Sequence, residues 1–291
     1  MTTPPFRFGV NLLAGYDGPH WIATCVRAEE LGFDVILCPD HLGMASPFPA
    51  LVAAAGVTSR ARLGTYVLDT GFHPAPLLAR DVAMTDQLID GRLELGLGTG
   101  YVREEFTAAG LAFPTGPERV HHLADTVEEL RALLADPAFL PPPVQRPVPL
   151  LLGGYGDELL RLAARHADVV SLTGLATAPD GSVRLLPAAT LAERVAFTRA
   201  AAGERAGDLV FNLLVHKVAV TADEEAIAAV RSLFAPQMTA GEFGALATVL
   251  CGTAPELAER LRAVREDLGI GYVTVAASDM EDFAAVMALL R

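Results

Sequence analysis

The sequence of 291 residues predicts one (β/α)8 TIM barrel, a single domain spanning residues 1–291. Eight short β-rich runs alternate with segments of helical spacing, and strands joined by single crossover helices must run parallel. The length agrees, because barrels of this kind take about 250 residues as one domain. Eight such units favour closure into a barrel over an open doubly wound sheet.

The predicted elements follow one another in a regular order. The strands are Phe6–Leu12, Asp34–Cys38, Arg62–Leu68, Arg92–Leu97, Pro149–Leu152, Asp168–Leu172, Leu209–Val220 and Tyr272–Ala276. Four S/T-x-x-E patterns predict helix starts, at Thr115–Glu118, Thr221–Glu224, Thr253–Glu256 and Ser278–Glu281. Two segments depart from the alternation: a long loop at Thr173–Pro187, and an extra helical segment at Pro236–Leu250 before the last helix.

Charge and cysteine content narrow the function classes. The net charge of −13 argues against nucleic acid and anionic membrane surfaces as partners, so an anionic ligand must be held by local donors. The three cysteines, Cys25, Cys38 and Cys251, form neither a disulfide framework nor a zinc motif. Met1–Arg7 has no apolar signal core. We therefore predict a cytoplasmic protein.

Asp40 and His41 follow the second predicted strand, at the carboxyl end where a parallel barrel has its active site. A carboxylate beside an imidazole suits general acid–base chemistry, because histidine titrates near neutral pH. The structural alternative is that Asp40 caps a helix and His41 bonds to the backbone. Position alone leaves both interpretations open.

Two glycine-rich turns follow the fourth and fifth predicted strands. Gly98-Thr99-Gly100 lets a planar ligand approach the backbone, although its spacing is not that of a dinucleotide fingerprint. Gly153-Gly154-Tyr155-Gly156 leads into the predicted helix Glu158–His166, whose free N–H groups and positive dipole end suit a phosphate. Each turn is equally explained as a tight connection between a strand and the next element.

The other polar residues carry weaker signals. Asp69 ends the third strand, where ordinary loop polarity also explains it. His216 and Lys217 are neighbours in the seventh predicted strand and must point to opposite faces, so a surface or core role is favoured over a barrel-lining one. We predict no metal site, because too few His and carboxylate side chains converge from different strand ends.

Taken together, these motifs resemble the bacterial luciferase-like superfamily and, within it, the coenzyme F420-dependent oxidoreductases. The resemblance covers nearly the whole chain, in the same order. The stretches that carry it are Ala28–Val35 with Pro39-Asp40-His41, Leu63–Thr65 with Pro74 and Ala79-Arg80, Gly91–Gly100 with Arg103–Phe106, Leu151–Gly154 before Leu162–Asp168, and Gly252–Leu261.

The resemblance implies a luciferase-like barrel with F420, or alternatively FMN, across the strand ends. It implies catalytic roles for His41 and Asp40 beside the reactive ring, with His41 transferring the proton. A cis non-proline peptide is expected at Tyr66–Val67, supporting the back of the ring. The expected cofactor contacts are Asp40, His41, Tyr66, Val67, Asp69, Gly98, Thr99 and Gly100 around the ring, and Leu152, Gly153, Gly154, Tyr155 and Gly156 at the phosphate. The resemblance is also compatible with a homodimer.

Two departures bear on the substrate. The sugar-phosphate dehydrogenases of this superfamily carry an aromatic residue shortly after the Asp-His pair, where this chain reads Leu42–Ser46. They also carry an acid just after the glycines, where this chain has Tyr101. The predicted mouth is instead lined by Leu42, Met44, Phe48, Phe72 and Tyr101. This lining predicts a small, apolar organic substrate.

Three alternatives stay open at this point. An FMN-dependent monooxygenase of the same superfamily is poorly separated from an F420 enzyme by sequence. A barrel that has lost its cofactor and serves as a binding partner is disfavoured by the intact Asp40-His41 pair and by both glycine turns. A metal-dependent barrel hydrolase would need more ligands than Asp40, His41 and Asp69 supply.

Overall fold

The computed structural model describes residues 5–13, 17–177 and 183–291. The described residues form thirteen strands and eleven α-helices. The strands are β1 Arg7–Asn11, β2 Val35–Cys38, β3 Arg62–Thr65, β4 Leu68–Asp69, β5 Leu93–Gly98, β6 Leu150–Gly153, β7 Val169–Leu172, β8 Leu175–Thr177, β9 Val183–Leu185, β10 Val210–Val215, β11 Lys217–Val220, β12 Val249–Gly252 and β13 Tyr272–Ala276. The helices are α1 Gly18–Leu31, α2 Pro47–Ala55, α3 Ala75–Leu88, α4 Arg103–Ala108, α5 Gly116–Ala135, α6 Asp157–His166, α7 Ala188–Ala202, α8 Glu224–Phe234, α9 Ala240–Gly244, α10 Ala254–Leu268 and α11 Met280–Leu290.

Nine of these strands form one parallel sheet that closes on itself. The order around the sheet is β3-β2-β1-β13-β10-β7-β6-β5-β4, and β3 pairs with β5 to complete the circle. The third of the eight barrel positions is shared by β3 and β4, which Tyr66 and Val67 separate. The peptide bond between these two residues is cis, as expected. The predicted (β/α)8 barrel is confirmed.

The barrel has two apolar layers, because successive side chains of a strand point to opposite faces. Along β1, Phe8 and Val10 pack outward in the main cluster between the sheet and the helices. Gly9 faces inward, where a Cβ atom would lie 2.8 Å from Thr274 Oγ1. A separate buried cluster fills the interior, comprising Val35, Leu37, Tyr66, Leu151, Val169 and Tyr272.

The seventh predicted strand, Leu209–Val220, is wrong as a continuous element. It breaks at His216, where the chain leaves the barrel. The first part, β10, pairs with β7 and β13. The second part, β11, pairs with β12 in a separate two-stranded sheet. The predicted helical segment Pro236–Leu250 therefore contains α9 and also the start of a strand.

The segment Thr173–Pro187 also differs from the predicted long loop. Its described ends, β8 and β9, pair antiparallel as a short hairpin beyond the end of β7. Residues 178–182 between them lie outside the described residues.

A helix begins at each of the four predicted starts, but the predicted capping box forms at only two of them. Glu118 and Glu256 each accept hydrogen bonds from the backbone N–H and hydroxyl of the threonine three residues earlier. At the third, the side chain of Asp223 caps α8 instead of Thr221. At the fourth, the carboxylate of Asp279 before α11 is engaged by Lys217 and by the N–H of Val218. No helix among the described residues has the length and apolarity to cross a membrane.

Candidate functional site

The carboxyl ends of the barrel strands bring Asp40 and His41 together with two side chains that the sequence did not single out. Asp40 Oδ2 lies 3.1 Å from His73 Nε2, and it also accepts the backbone N–H of Asp69 at 3.1 Å. The Asp40 side chain therefore ties the end of β2 to the loop after β4. The same contacts orient the His73 imidazole.

His41 forms the second imidazole–carboxylate pair. Its Nδ1 lies 2.9 Å from Glu105 Oε1, and the ring packs edge-on against Tyr101, with ring centroids 5.7 Å apart. The two side chains of the pair are 22% and 16% exposed, so both are reached by solvent only from one side. An imidazole held in this way can exchange a proton with a molecule in the barrel mouth.

Glu105 and His73 were missed as site residues for different reasons. Glu105 stands on α4, five residues after the glycine turn. In the sequence, the stretch that contains it indicates only the resemblance to the family. His73 precedes a proline in a loop, a context that gives no chemical signal. Only the arrangement of the strand ends shows that each imidazole has a carboxylate partner.

Asp69 is buried at this rim and serves the local backbone. Its Oδ1 accepts the N–H of Gly71 at 2.9 Å, which closes a turn after β4. Burial, together with the charge of nearby Asp40, raises the pKa of this carboxyl. A Cβ atom on Gly100, which has a φ of 66°, would lie only 1.9 Å from Asp69 Oδ2. The glycine at position 100 therefore makes room for this carboxylate.

Tyr66 and Val67, which are joined by the cis peptide, both border the interior cluster of the barrel. The Tyr66 hydroxyl is buried inside the barrel, 2.6 Å from Ser171 Oγ and 2.8 Å from Asn212 Oδ1. Val67 is half-buried at the mouth, and a Cβ atom on Gly98 would lie 2.6 Å from its side chain. The glycine at the end of β5 thus accommodates Val67.

The turn between β6 and α6 presents backbone N–H groups. Gly156 is the N-cap of α6 and has no side chain to satisfy the N–H groups of the first turn. The N–H of Gly154 is already donated to the Ser171 carbonyl at 3.2 Å. Leu152 packs its side chain into the main hydrophobic cluster. Tyr155, Gly156 and the start of α6 therefore offer the donors at this corner.

Charged side chains surround the same corner. Asp157 in the first turn of α6 would repel an anion, but Arg194 Nη1 lies 2.6 Å from its Oδ1. Arg161 also approaches Asp157, at 3.6 Å. The two arginines offset the charge of Asp157, while Glu158 adds a second carboxylate to the same first turn.

The residues after β10 are engaged in structural contacts. His216 Nε2 lies 2.7 Å from the Thr173 carbonyl, and burial lowers the pKa of this imidazole. Lys217 forms an ion pair with buried Asp279. Within residues 5–13, 17–177 and 183–291, no group of three His, Cys, Asp or Glu side chains is arranged to bind a metal ion.

The family model of luciferase-like monooxygenases matches residues 5–272. The chain belongs to this family. The membership that its motifs suggested is therefore confirmed.

Among members of the luciferase-like family, an F420-dependent glucose-6-phosphate dehydrogenase of Nakamurella multipartita is 35% identical over 192 residues, 58% of this chain and 56% of that enzyme. The chain thus spans little more than half of this relative. The solved structure of an F420-dependent secondary alcohol dehydrogenase, in complex with an F420-acetone adduct, has a TM-score of 0.79 at 18% identity, covering 99% of this chain and 100% of that one. A monooxygenase from Streptomyces bottropensis has a TM-score of 0.72 at 24% identity, covering 97% of each chain. At these identities the two structures establish the shared fold.

Proposed function

We propose that this barrel is an F420-dependent oxidoreductase that transfers a hydride between coenzyme F420 and a small, apolar organic substrate. The observation that carries the proposal is the His41–Glu105 pair, a proton-exchanging group at the mouth of a luciferase-like barrel. The relatives support the cofactor, since the one from Nakamurella multipartita is named for F420.

The phosphate of the coenzyme fits the corner at the start of α6. A free helix N-terminus with a glycine N-cap binds anions through backbone N–H groups and needs no lysine. We assign this contact to Tyr155, Gly156 and the first turn of α6, with Gly153 and Gly154 shaping the turn. Leu152 supports the corner from within β6. The ion pair of Asp157 with Arg194 reduces the repulsion between the first turn and the phosphate.

The planar ring would be held by Val67 and by the turn Gly98–Gly100. Val67 offers a half-buried apolar side chain there. Tyr66 supports it from below, because its buried hydroxyl is bonded to Ser171 and Asn212. Thr99 and Gly100 border the ring on one side, and Asp69 holds Gly71 and the adjacent loop in place.

In this arrangement the coenzyme supplies the hydride chemistry and the protein supplies orientation and proton delivery. We assign the proton to His41. Asp40 has one oxygen committed to His73 and to the Asp69 N–H. We therefore assign Asp40 to the rim beside the ring, where it fixes His73 and the loop after β4.

The substrate assignment rests on the side chains around the mouth. Leu42 and Tyr101 are 50% and 65% exposed, leaving apolar surface beside His41. Two cations near the mouth are engaged: Arg119 donates to the carbonyls of Gly100 and Pro114, and Lys217 is paired with Asp279. Together with the exposed apolar side chains, these engaged cations favour a neutral, apolar substrate. Purified protein that turns over glucose 6-phosphate would contradict this choice.

Titration of the pure protein with F420 and FMN in parallel tests the cofactor. We expect F420 absorbance and fluorescence to change on binding, and the weaker response to come from FMN. Tighter binding of FMN, with oxygen consumed when the flavin is reduced, would make the protein a monooxygenase. Binding of neither cofactor would favour a barrel without catalytic function.

Three free cysteines, two of them buried, agree with the cytoplasmic location that we propose. A homodimer stays a prediction.

A further inference from the structure

We infer that Glu105 is a positioning residue that holds His41 in its Nδ1–H tautomer and leaves Nε2 as the nitrogen that accepts the substrate proton. The first half of this inference concerns the protein alone. The second half rests on the proposed function, because it needs a substrate that loses a proton and a hydride together.

The tautomer follows from the contact between the two side chains. An ionised carboxylate has no hydrogen to donate, so the hydrogen bond of 2.9 Å requires a hydrogen on His41 Nδ1. In a neutral imidazole the other nitrogen is then a bare acceptor. No hydrogen-bond partner of His41 Nε2 occurs within the described ranges. This nitrogen is therefore available to a molecule in the mouth.

Helix α4 holds Glu105 rigidly enough for this role. The next residue, Phe106, is 2% exposed and packs between Phe72 and Phe113, with ring centroids 5.1 and 5.0 Å away. Tyr101 contacts the His41 ring edge-on and restricts its rotation. Glu104, the preceding residue on the same helix turn, is exposed. The two adjacent glutamates thus differ in their surroundings.

Other titratable groups lie close to the pair. Glu105 raises the pKa of Tyr101, after burial as the larger cause. Beside burial, its largest cause, the shift in the pKa of Asp69 includes the charges of Asp40, His73 and Glu105. The charges of two carboxylates and a second imidazole therefore also act on His41. An experiment has to separate the effect of Glu105 from theirs.

Under the proposed function, the substrate would carry a hydroxyl on the carbon that loses hydride. The O–H bond would break with its proton passing to His41 Nε2, and the C–H bond would break with the bound coenzyme supplying the hydride acceptor. A carbonyl compound remains, so atoms and electrons balance.

Long-range 1H–15N NMR of histidine-labelled, full-length protein tests the tautomer without cofactor or substrate. We expect His41, assigned by loss of its signals in His41→Asn, to show a protonated Nδ1 and a bare Nε2. Glu105→Leu removes the acceptor and should release this tautomer, while Glu104→Leu is the matched control and should retain it. A bare Nδ1 in the wild-type protein would overturn the inference whatever the enzyme does.

Kinetics with F420 and a panel of small alcohols tests the second half. We expect Glu105→Leu to lower kcat about 10- to 100-fold, part of what general base catalysis contributes, with KM changed less than about threefold. Glu104→Leu should match the wild type.

The outcomes separate the two proposals. An unchanged kcat in a folded Glu105→Leu protein that binds F420 would overturn the role of Glu105. A wild-type protein that oxidises no alcohol would reject the substrate class, and one that also fails to bind F420 would reject the proposed function. The NMR result stands in either case.

Discussion

At the scale of single residues, His41 is the side chain on which turnover should depend most. The variant His41→Asn places an amide N–H close to the position of Nδ1, so Glu105 keeps a donor and the site should fold. It cannot accept a proton. We expect cofactor affinity within about twofold of wild type and a loss of turnover of about 10²- to 10⁴-fold.

The matched control is His121→Asn, since His121 is exposed on α5. Thermal melting checks that both variants fold, cofactor fluorescence measures affinity, and steady-state kinetics measures kcat. Unchanged turnover in His41→Asn would remove His41 from the chemistry.

Site residues could be predicted from the sequence only where they directly follow a predicted strand. Asp40 and His41 follow a β-rich run directly, so position in a barrel was enough to nominate them. Glu105 and His73 complete the two imidazole–carboxylate pairs from other units, and their partners are 64 and 33 residues away in sequence. Spacing along one chain carries no information on such a contact.

At the scale of elements, the loop after β5 depends on a close approach between Gly100 and Asp69. Gly100→Ala should be strongly destabilising, because the new methyl group would lie 1.9 Å from a buried carboxylate oxygen. Gly110 is the control: its φ is 73°, but nothing lies within 4 Å of a Cβ atom there. Gly110→Ala should cost about 1 kcal/mol for the left-handed backbone.

We expect Gly100→Ala to lower the free energy of unfolding by at least about 2 kcal/mol more than Gly110→Ala does, because of the steric conflict. Denaturant unfolding of the wild type and both variants measures the difference in the free energy of unfolding. Equal losses in the two variants would show that the Asp69 carboxylate moves aside freely.

The start of α6 can be tested by removing one donor. Gly156 has a φ of −71°, close to the value that proline requires, so Gly156→Pro removes its N–H with little change of its own φ. Gly156→Ala keeps the N–H and meets no atom within 4 Å. We expect F420 affinity to fall about 10-fold or more in the proline variant, since a hydrogen bond to a charged group contributes about 1.5–3 kcal/mol.

The alanine variant should bind F420 within about twofold of wild type. Fluorescence titration measures both affinities, and the melting temperature without cofactor shows whether Tyr155, the residue before the new proline, is strained. Equal affinities in the two folded variants would place the phosphate away from this N–H.

Elements were predictable where a local pattern decides them, and not where a distant partner does. The run Leu209–Val220 reads as one strand, because nothing in it signals a break. It divides because the His216 N–H bonds to the Thr248 carbonyl and β11 pairs with β12, more than 30 residues further on. Thr239–Glu242 is a capping box that starts α9, inside the segment that the sequence predicts as helical without locating its first residue.

At the scale of the whole molecule, the alternation of eight units was sufficient to predict barrel closure. Each strand must bury an outward face against helices and an inward face against the opposite strands. The continuous main cluster and the separate interior cluster are the result. The hairpin β8–β9 and the sheet β11–β12 are not part of the eight-unit barrel. The alternation of strands and helices in the sequence therefore does not predict them.

The net charge of −13 gives a prediction that distinguishes backbone amides from basic side chains as the phosphate ligand. An acidic protein repels an anionic coenzyme over long range, whereas hydrogen bonds from N–H groups act at contact. Raising the ionic strength from about 0.01 M to about 0.1 M shortens the Debye length from about 30 to about 10 Å. We therefore expect F420 affinity to stay constant or to increase with salt. The affinity of a coenzyme fragment that keeps the ring and the ribityl chain but lacks the phosphate should not depend on salt. Isothermal titration at several salt concentrations measures both. A steep loss of F420 affinity would instead mean that a cation such as Arg194 leaves Asp157 to bind the phosphate.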